Sequence, residues 1–509
     1  MVLSNSKQMR DADNTAIHVM GIPSDWLMKN AGECVARAAM EYMTENRRTA
    51  IFCGSGNNGG DGIAAAVYLI RHGIEVKTIF IGRREKMTDD TRDMETRLLE
   101  NGGRLEPFNP EDSELYAYLG GCGAIIDAMF GIGLRSALRD DERLAAELIN
   151  ASGIPVVSAD IPSGVEADTG RIMGIGVKAS KTVTFSMAKP GHFTEPGCTL
   201  CGSLEIADIG IPKELLGDID SRCYVLSPGD KRLPARRRVS HKGSYGRLLI
   251  IGGSVGYTGA VSLCGKGAVH AGAGLVSIGV PESIYNITAV KNDEAMPFPL
   301  PDRDGMISSA AKDCILEKLE KSDACIIGPG LNRSRELSEL VPEIIRQIKI
   351  PAVVDADGLY ALSKDMTALM QSKGSIVLTP HEGEFLRLGG RLTGDRIEDA
   401  GAFSREHRCI LVLKGHRTIC AFPDGDIFII NAGNPGMAKG GSGDVLSGII
   451  GALLGQLSVK QAILTAVLIH SHGGDICAEK YGEYSMTPSD IIRALPEVMK
   501  SITDTDKRR

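Results

Sequence analysis

From residue 49 onward the chain alternates short, β-branched or apolar runs with stretches of helical apolar spacing, and it does so in two successive halves. Strands buried on both faces need such runs, and parallel strands need crossover helices, so the alternation predicts parallel sheets covered by helices. The first half offers strands at 49–53, 76–81, 124–127, 155–159 and 182–185. The second offers 247–251, 275–280, 324–327, 352–355, 376–378 and 410–413, then a hairpin within 418–430. A polar, proline-containing stretch at 227–245 separates them, so residues 1–226 and 227–505 are expected to form two three-layer αβα domains. At 509 residues and 43% hydrophobic content, the chain can bury a core in each.

A net charge of −7 argues against a general nucleic-acid binder. The boundary stretch carries a basic run, Lys231, Arg232, Arg236, Arg237, Arg238, His241 and Lys242, but no aromatic residues interleave with it, and it reads as a solvated linker face. The 12 cysteines are scattered. Cys198 and Cys201 form a CxxC without a second pair, so reduced thiols in a cytoplasmic protein are expected, with a redox or metal role as the minor alternative. The N-terminus lacks an apolar signal core, and no apolar run reaches the roughly 18 residues of a membrane span.

The most chemically pointed segment is Asn434-Pro435-Gly436-Met437-Ala438-Lys439-Gly440-Gly441-Ser442-Gly443-Asp444, followed by an apolar run. Small residues let backbone N–H groups converge on a polyphosphate, and a helix starting near Ser442 turns its positive end toward it. Asp444, in the first turn, would repel a phosphate, so its expected task is to take a proton from a hydroxyl attacking a terminal phosphate. The competing reading is a glycine-rich turn with a capping Asp, but four glycines in eight residues serve no cap. The P-loop pattern is absent from the sequence.

In the first half, the strand at 49–53 runs into Gly54-Ser55-Gly56-Asn57-Asn58-Gly59-Gly60-Asp61-Gly62, with a helix expected from about Ile63. This contains GxGxxG, a weak signal alone; the two amides and the Asp are more particular, since they can bind ribose, phosphate or a cation. Asp127 and Asp160 fall at the carboxyl ends of two predicted strands, each before a tight turn, and should share a crevice with Asn58. Arg83 and Arg84 admit two readings, a 2′-phosphate contact or surface arginines. Lys189 is expected to be solvated, with reach into the site as the alternative.

The motifs GSGNNGGDG, IDAMFGIG and ADIPSG resemble the YjeF-type N-terminal domain, the NAD(P)H-hydrate epimerase. GGSVGYTGA, IIGPGL, DADGL, TPHEGEF, LKG and NPGMAKGGSGD resemble the ADP- or ATP-dependent NAD(P)H-hydrate dehydratase of the ribokinase-like superfamily. Nearly the whole chain is covered, so it resembles the bifunctional NAD(P)H-hydrate repair enzymes. The resemblance implies a Rossmann-like N-terminal sheet and a ribokinase-like C-terminal sheet. It implies an epimerase site in which Asp160 contacts the hydrate and acts as acid/base, and Asn58, Asp127 and Ser163 bind K+. Asn57, Asn58, Gly59, Gly60 and Asp61, with Gly131, Ile132, Gly133, Leu134, Arg135, Ser136 and Ala137, match the epimerase's substrate loops.

For the dehydratase it implies Ala260, Gly330, His381 and Asp444 against the hydrate. His381 alone would read as an ordinary core or surface histidine. Lys414, Gly415, His416, Arg417 and Thr418, with Asn434, Lys439, Gly440, Gly441, Ser442 and Gly443, would lie against ADP or ATP, with Mg2+ as its counter-ion. The implied substrates are the hydrates of NADH and NADPH, NADHX and NADPHX, with ADP favoured over ATP because bacterial relatives favour it. A homo-oligomer is expected on general grounds. The alternatives are a ribokinase-like kinase of a vitamin precursor fused to a nucleotide-binding or scaffold domain, and a hydride-transferring dehydrogenase, for which no catalytic pairing stands out.

Overall fold

The computed structural model describes residues 1–43 and 46–503. They form two units, Met1–Cys223 and Tyr224 onward. The division falls a few residues ahead of the boundary read from the sequence, because the strand Cys223–Leu226 joins the second sheet.

The first unit holds a seven-stranded sheet. Across it run Leu105–Pro107, Glu75–Phe80, Arg48–Cys53, Ala124–Ala128, Val156–Ala159, Lys181–Phe185 and Ser203–Ala207. Every pairing is parallel. Chain order reverses between Arg48–Cys53 and Ala124–Ala128, the switch point at which a Rossmann-like sheet opens a crevice. Alternation along Arg48–Cys53 separates two cores. Ile51 and Cys53 pack with Leu27, Val35, Ile63 and Ala66 of the helices Ser24–Met40 and Asn57–Arg71. Ala50 and Phe52 pack with Leu115, Leu119, Ala145 and Ile149 of Ser113–Leu119 and Asp140–Ala151.

The second unit has a ten-stranded sheet. Met296–Leu300, Leu275–Pro281, Arg247–Ile251, Ala324–Ile327, Ala352–Val354, Ile376–Leu378 and Ile410–Leu413 run parallel. The hairpin Ile419–Ala421 and Ile427–Ile430 continues it antiparallel, and Cys223–Leu226 closes the edge. Leu248, Ile250, Ile326, Val353 and Val412 share a core with the helices Thr258–His270, Ser442–Leu454, Val459–Tyr481 and Pro488–Ile502. The intervening Leu249, Ile251, Ile327 and Val354 point to the other face and are equally buried. Helix Ser442–Leu454 is apolar nearly all round and almost wholly buried.

The expected α/β class with parallel sheets is therefore present in both halves. Two details differ. The helix expected from Ile63 begins at Asn57, so the Asn-Asn-Gly-Gly-Asp run is its first turn rather than a loop. Four strands absent from the sequence reading, Leu105–Pro107, Ser203–Ala207, Cys223–Leu226 and Met296–Leu300, occupy the four sheet edges. Among the described residues no helix is long and apolar enough to cross a membrane.

Candidate active sites

In the first unit the loops after four strand ends converge on a cavity of about 130 Å³. Asn57, Asp61, Ile132, Asp160 and Lys189 line it, joined by Asp13 and Asp90. The turn between strand and helix is closed so tightly that a Cβ on Gly59 would stand 1.9 Å from the Gly54 carbonyl oxygen. Asp160 follows its strand at φ +66°, a left-handed conformation costing a non-glycine residue roughly 1 kcal/mol.

A buried network holds it there. The Lys189 ammonium donates to Asp160 Oδ1 at 2.5 Å and to Thr184 Oγ1 at 2.8 Å, and Thr184 Oγ1 donates to the same carboxylate at 3.0 Å. His192 Nδ1 accepts from the Lys189 N–H, which leaves Nε2 as the donor to the Asp160 carbonyl at 2.9 Å. Burial and the Lys189 charge lower His192 to about 4, so the ring is neutral at pH 7. Burial pushes Asp160 up, but Lys189 outweighs it and the carboxyl sits below its ordinary value. The expectation of a solvated Lys189 is thus overturned: the residue is 1% exposed, because Asp160 supplies the counter-charge that burial requires.

The other carboxyls move the opposite way. Burial, with repulsion from Asp160, Asp13 and Asp90, drives Asp61 well above its ordinary value, and burial raises Asp13 to about 6. The cavity therefore sets one carboxylate whose pKa is lowered beside two carboxyls, Asp61 and Asp13, whose pKa values are raised. Asp13 and Asp90 were not legible as site residues, and Lys189 only as the lesser of two readings; Asp13 comes from the helix Ser6–Asn14, outside every motif.

Asp127 is fully buried and accepts from Ser158 Oγ at 2.8 Å, from the Ser163 N–H at 2.9 Å and from Ser163 Oγ at 2.6 Å. These donors are all neutral, and burial raises its pKa. A Cβ on Gly131 would lie 3.0 Å from Asn58 Oδ1 and 3.2 Å from Asp160 Oδ2, so both oxygens face one spot, while Asn58 Nδ2 is buried without a partner. Leu134 is turned into the core, leaving only its backbone for a ligand. Arg84 is bound to Glu95 at 2.6 Å and to the Leu105 carbonyl, which fits the surface reading.

In the second unit a cavity of about 620 Å³ is lined by His381, Lys414, Gly415, His416, Thr418, Asn434, Lys439, Ser442 and Gly443, together with His470 and Ser471. Gly441 enters the helix at φ +100°, and a Cβ there would stand 2.6 Å from Leu263 Cδ1. Lys414 Nζ lies 2.9 Å from Asp355 Oδ1 and 3.9 Å from Glu384 Oε2, and Ser447 Oγ donates to Asp355 Oδ2 at 2.6 Å. Burial pulls Lys414 down, but Asp355 and Glu384 more than offset it and its pKa rises. Asp444, next to the lining Gly443, is raised to about 7 by burial and by the Asp355 charge.

His381 caps the helix Glu382–Arg387, its Nδ1 accepting from Gly383 and Glu384, so Nε2 carries the hydrogen. Gly330 packs on Ala260: a Cβ there would be 3.1 Å from the Ala260 Cβ. Three of the expected side chains are held by protein partners. Arg417 is turned to Asn431 Oδ1, Lys439 donates to the carbonyls of Tyr484 and Met486 at 2.6 Å, and Asn434 is held by Asp475.

Parallel sheets with a charged cavity at the carboxyl edge of each define a two-site α/β enzyme. The profile of the NAD(P)H-hydrate dehydratase family matches residues 248–497, and that of the YjeF-related protein N-terminus matches residues 24–191. The bifunctional NAD(P)H-hydrate repair enzyme Nnr of Moorella thermoacetica is 40% identical over 99% of this chain and 98% of its own length. The Escherichia coli protein of that name is 32% identical over 97% and 94%. Among solved structures, an ADP/ATP-dependent NAD(P)H-hydrate dehydratase from Bacillus subtilis, co-crystallised with ATP/Mg2+, is 31% identical, covering 53% of this chain and 95% of that one at a TM-score of 0.45. The chain belongs to the family of bifunctional NAD(P)H-hydrate repair enzymes. Matches running through both halves do not favour the alternative of a lone kinase fused to a scaffold.

Proposed function

We propose that the first site interconverts the R and S hydrates of NADH and NADPH, and that the second dehydrates the S form to the reduced cofactor at the expense of ADP or ATP. The hydrate carries a hydroxyl on the ring carbon next to nitrogen. Epimerisation by ring opening or through an iminium ion needs a positioned acid/base group. Asp160, kept ionised by Lys189, serves as the base, and Asp61 and Asp13, whose pKa values are raised, line the same cavity.

Asn58, Asp127 and Ser163 fit K+: their oxygens are hard donors, and the buried Asp127 carboxylate has only neutral partners. The ion would balance that charge and fix the loop oxygens facing Gly131. Asn57 to Asp61 and Gly131 to Ala137 supply the walls against the substrate.

In the second site hydroxide is a poor leaving group, and phosphorylation converts it to phosphate. Asp444 takes the hydroxyl proton as the oxygen attacks the terminal phosphoryl group, while the Gly440 to Gly443 backbone and Lys414 offset the charge on that group. The ring nitrogen then expels phosphate, and loss of a ring proton restores the dihydronicotinamide. Ala260, Gly330 and His381 hold the hydrate; Mg2+ arrives as the counter-ion of the nucleotide. The observation that carries this reading is Asp444 itself, a base raised to about 7 at the start of a buried helix beside Lys414.

The test is recovery of 340 nm absorbance from mixed R and S NADHX with Mg2+ and ADP, then ATP, beside Asp444→Asn. Full recovery in the native protein, abolished in the variant, supports both activities. Recovery stopping at the S fraction sinks the epimerase, and none with either nucleotide sinks the dehydratase.

A further inference from the structure

Residues 432–439 form one wall of the larger cavity, with Gly433, Asn434 and Met437 among its lining. The strip has no regular structure beyond a short turn at Pro435–Met437, and Gly433 enters it at φ +100°. Such a segment keeps one shape only where its polar groups are tied to something rigid.

The tie at its start is Asp475, which lies in the long helix Val459–Tyr481 and outside every motif read from the sequence. Asp475 Oδ2 accepts from the Gly433 N–H at 3.0 Å, and Oδ1 accepts from Asn434 Nδ2 at 3.0 Å. Asn434 passes the hold on: its Oδ1 accepts from the Gly436 N–H at 3.0 Å and caps the turn. The amide has one orientation here, because a carboxylate only accepts and a backbone N–H only donates. Packing reinforces the contact. A Cβ on Gly474, the residue before Asp475, would stand 2.3 Å from Met437 Sδ, so the wall lies directly against this turn of the helix. The far end is tied separately, by Lys439 to the carbonyls of Tyr484 and Met486. Asn434 was expected against the nucleotide, yet its amide oxygen and one amide hydrogen already serve the protein.

We infer that Asp475 is a positioning residue for nucleotide binding, which through Asn434 sets this wall of the cavity before the nucleotide arrives. The inference rests on the reading of this cavity as the nucleotide site. A wall already in its bound shape need not be ordered by the ligand, so loss of the tie should weaken binding more than it slows the chemistry at Asp444.

The pattern of donors and acceptors supplies the test, since it can be broken from either side and then rebuilt. Asp475→Asn leaves one acceptor for two donors, the Gly433 N–H and the Asn434 amide. Asn434→Asp sets two carboxylates against each other. Making both changes restores every pairing: the new amide at position 475 donates to the new carboxylate at 434 and accepts from Gly433, and that carboxylate still accepts from Gly436. On the full chain, KM for ADP and ATP and dehydratase kcat with NADHX are measured beside calorimetric binding of ADP and thermal melts. Each single variant should raise KM and Kd about tenfold or more while kcat at saturating nucleotide falls less than about threefold. The double variant should return to within about threefold of the native values. If a single variant fails to fold, the double variant carries the test, its near-native KM showing that the pairing is what binding needs. Single variants that melt early yet keep the native KM would overturn the inference, leaving Asp475 as support for the fold. So would a double variant as weak as the two single losses combined, since Asn434 would then touch the nucleotide itself. A native chain that binds neither ADP nor ATP would instead remove the reading of the cavity.

Discussion

Lys189 and Asp160 form an ion pair of 2.5 Å inside the first unit, with side chains only 2% and 8% exposed. Removing one member of such a pair strands the other in a medium that cannot solvate it. Asp160→Asn should cost roughly 3–5 kcal/mol of stability as well as epimerase activity. Lys189→Met removes the charge that lowers Asp160, so the base form should appear only at higher pH. Chromatographic rates of R to S interconversion should fall near pH 7 and partly recover as pH rises. A uniform loss at every pH would mean that Lys189 merely supports the fold. The linkage sign agrees: Asp160 titrates below its ordinary 3.8 in the native state, so its contribution is present above that value and lost as pH falls through the lower native one.

Asp444 carries the opposite sign. Its native pKa near 7 stands above the ordinary 3.8, so the folded protein binds that proton more tightly than the unfolded chain does. Stability should therefore fall as pH rises from about 4 to about 7. Dehydratase kcat/KM should rise through the same upper limit as the base is freed. Asp444→Asn should abolish turnover yet raise Tm at pH 8 by about 2 °C or more, since a partly buried anion is exchanged for a neutral amide. A lower Tm at pH 8 would place Asp444 among residues that stabilise the fold.

Eleven of the interior strands could be placed from the sequence because each is a short run buried on both faces, such as Ile410–Leu413 and Ala324–Ile327. The edge strands could not. Met-Pro-Phe-Pro-Leu at Met296–Leu300 has two residues without a backbone N–H, tolerable only where one side of a strand goes unpaired, and Ser203–Ala207 buries only Ala207. Among site residues, Asp160 and Asp444 were legible because a strand end or a helix start fixes where they point. Asp13 was not, and Lys189 only as the lesser of two readings, since their placement depends on burial against Asp160 and Asp61, which is a tertiary fact.

The spot shared by Asn58 Oδ1 and Asp160 Oδ2 can be closed with one methyl group. Gly131→Ala would put its Cβ 3.0 Å and 3.2 Å from them, tighter than ordinary van der Waals contact, at a position with negative φ and hence little backbone strain. Epimerisation should fall at least about tenfold, and activation by K+ over Na+ should weaken, while Tm moves by less than about 2 °C. Unaltered epimerisation would show that neither oxygen is used where the loop approaches them.

Lys414 couples three carboxyls of the second site: it is 2.9 Å from Asp355, 3.9 Å from Glu384, and its charge lowers Asp444. Lys414→Met should act on chemistry and on titration together. With the ammonium gone, Asp355 is left with Ser447 as a neutral donor, and the base loses a cation that lowers its pKa. The pH profile of dehydratase kcat/KM should shift to the alkaline side, and its plateau should drop by about a hundredfold or more for loss of charge stabilisation on the transferred phosphoryl group. Asp355→Asn separates these effects. It removes the anion that raises Asp444, so its profile should shift toward acid, opposite to Lys414→Met. Shifts in the same direction from both variants would mean that Asp444 is not the group titrating in the rate, and the base would have to be sought elsewhere along the cavity.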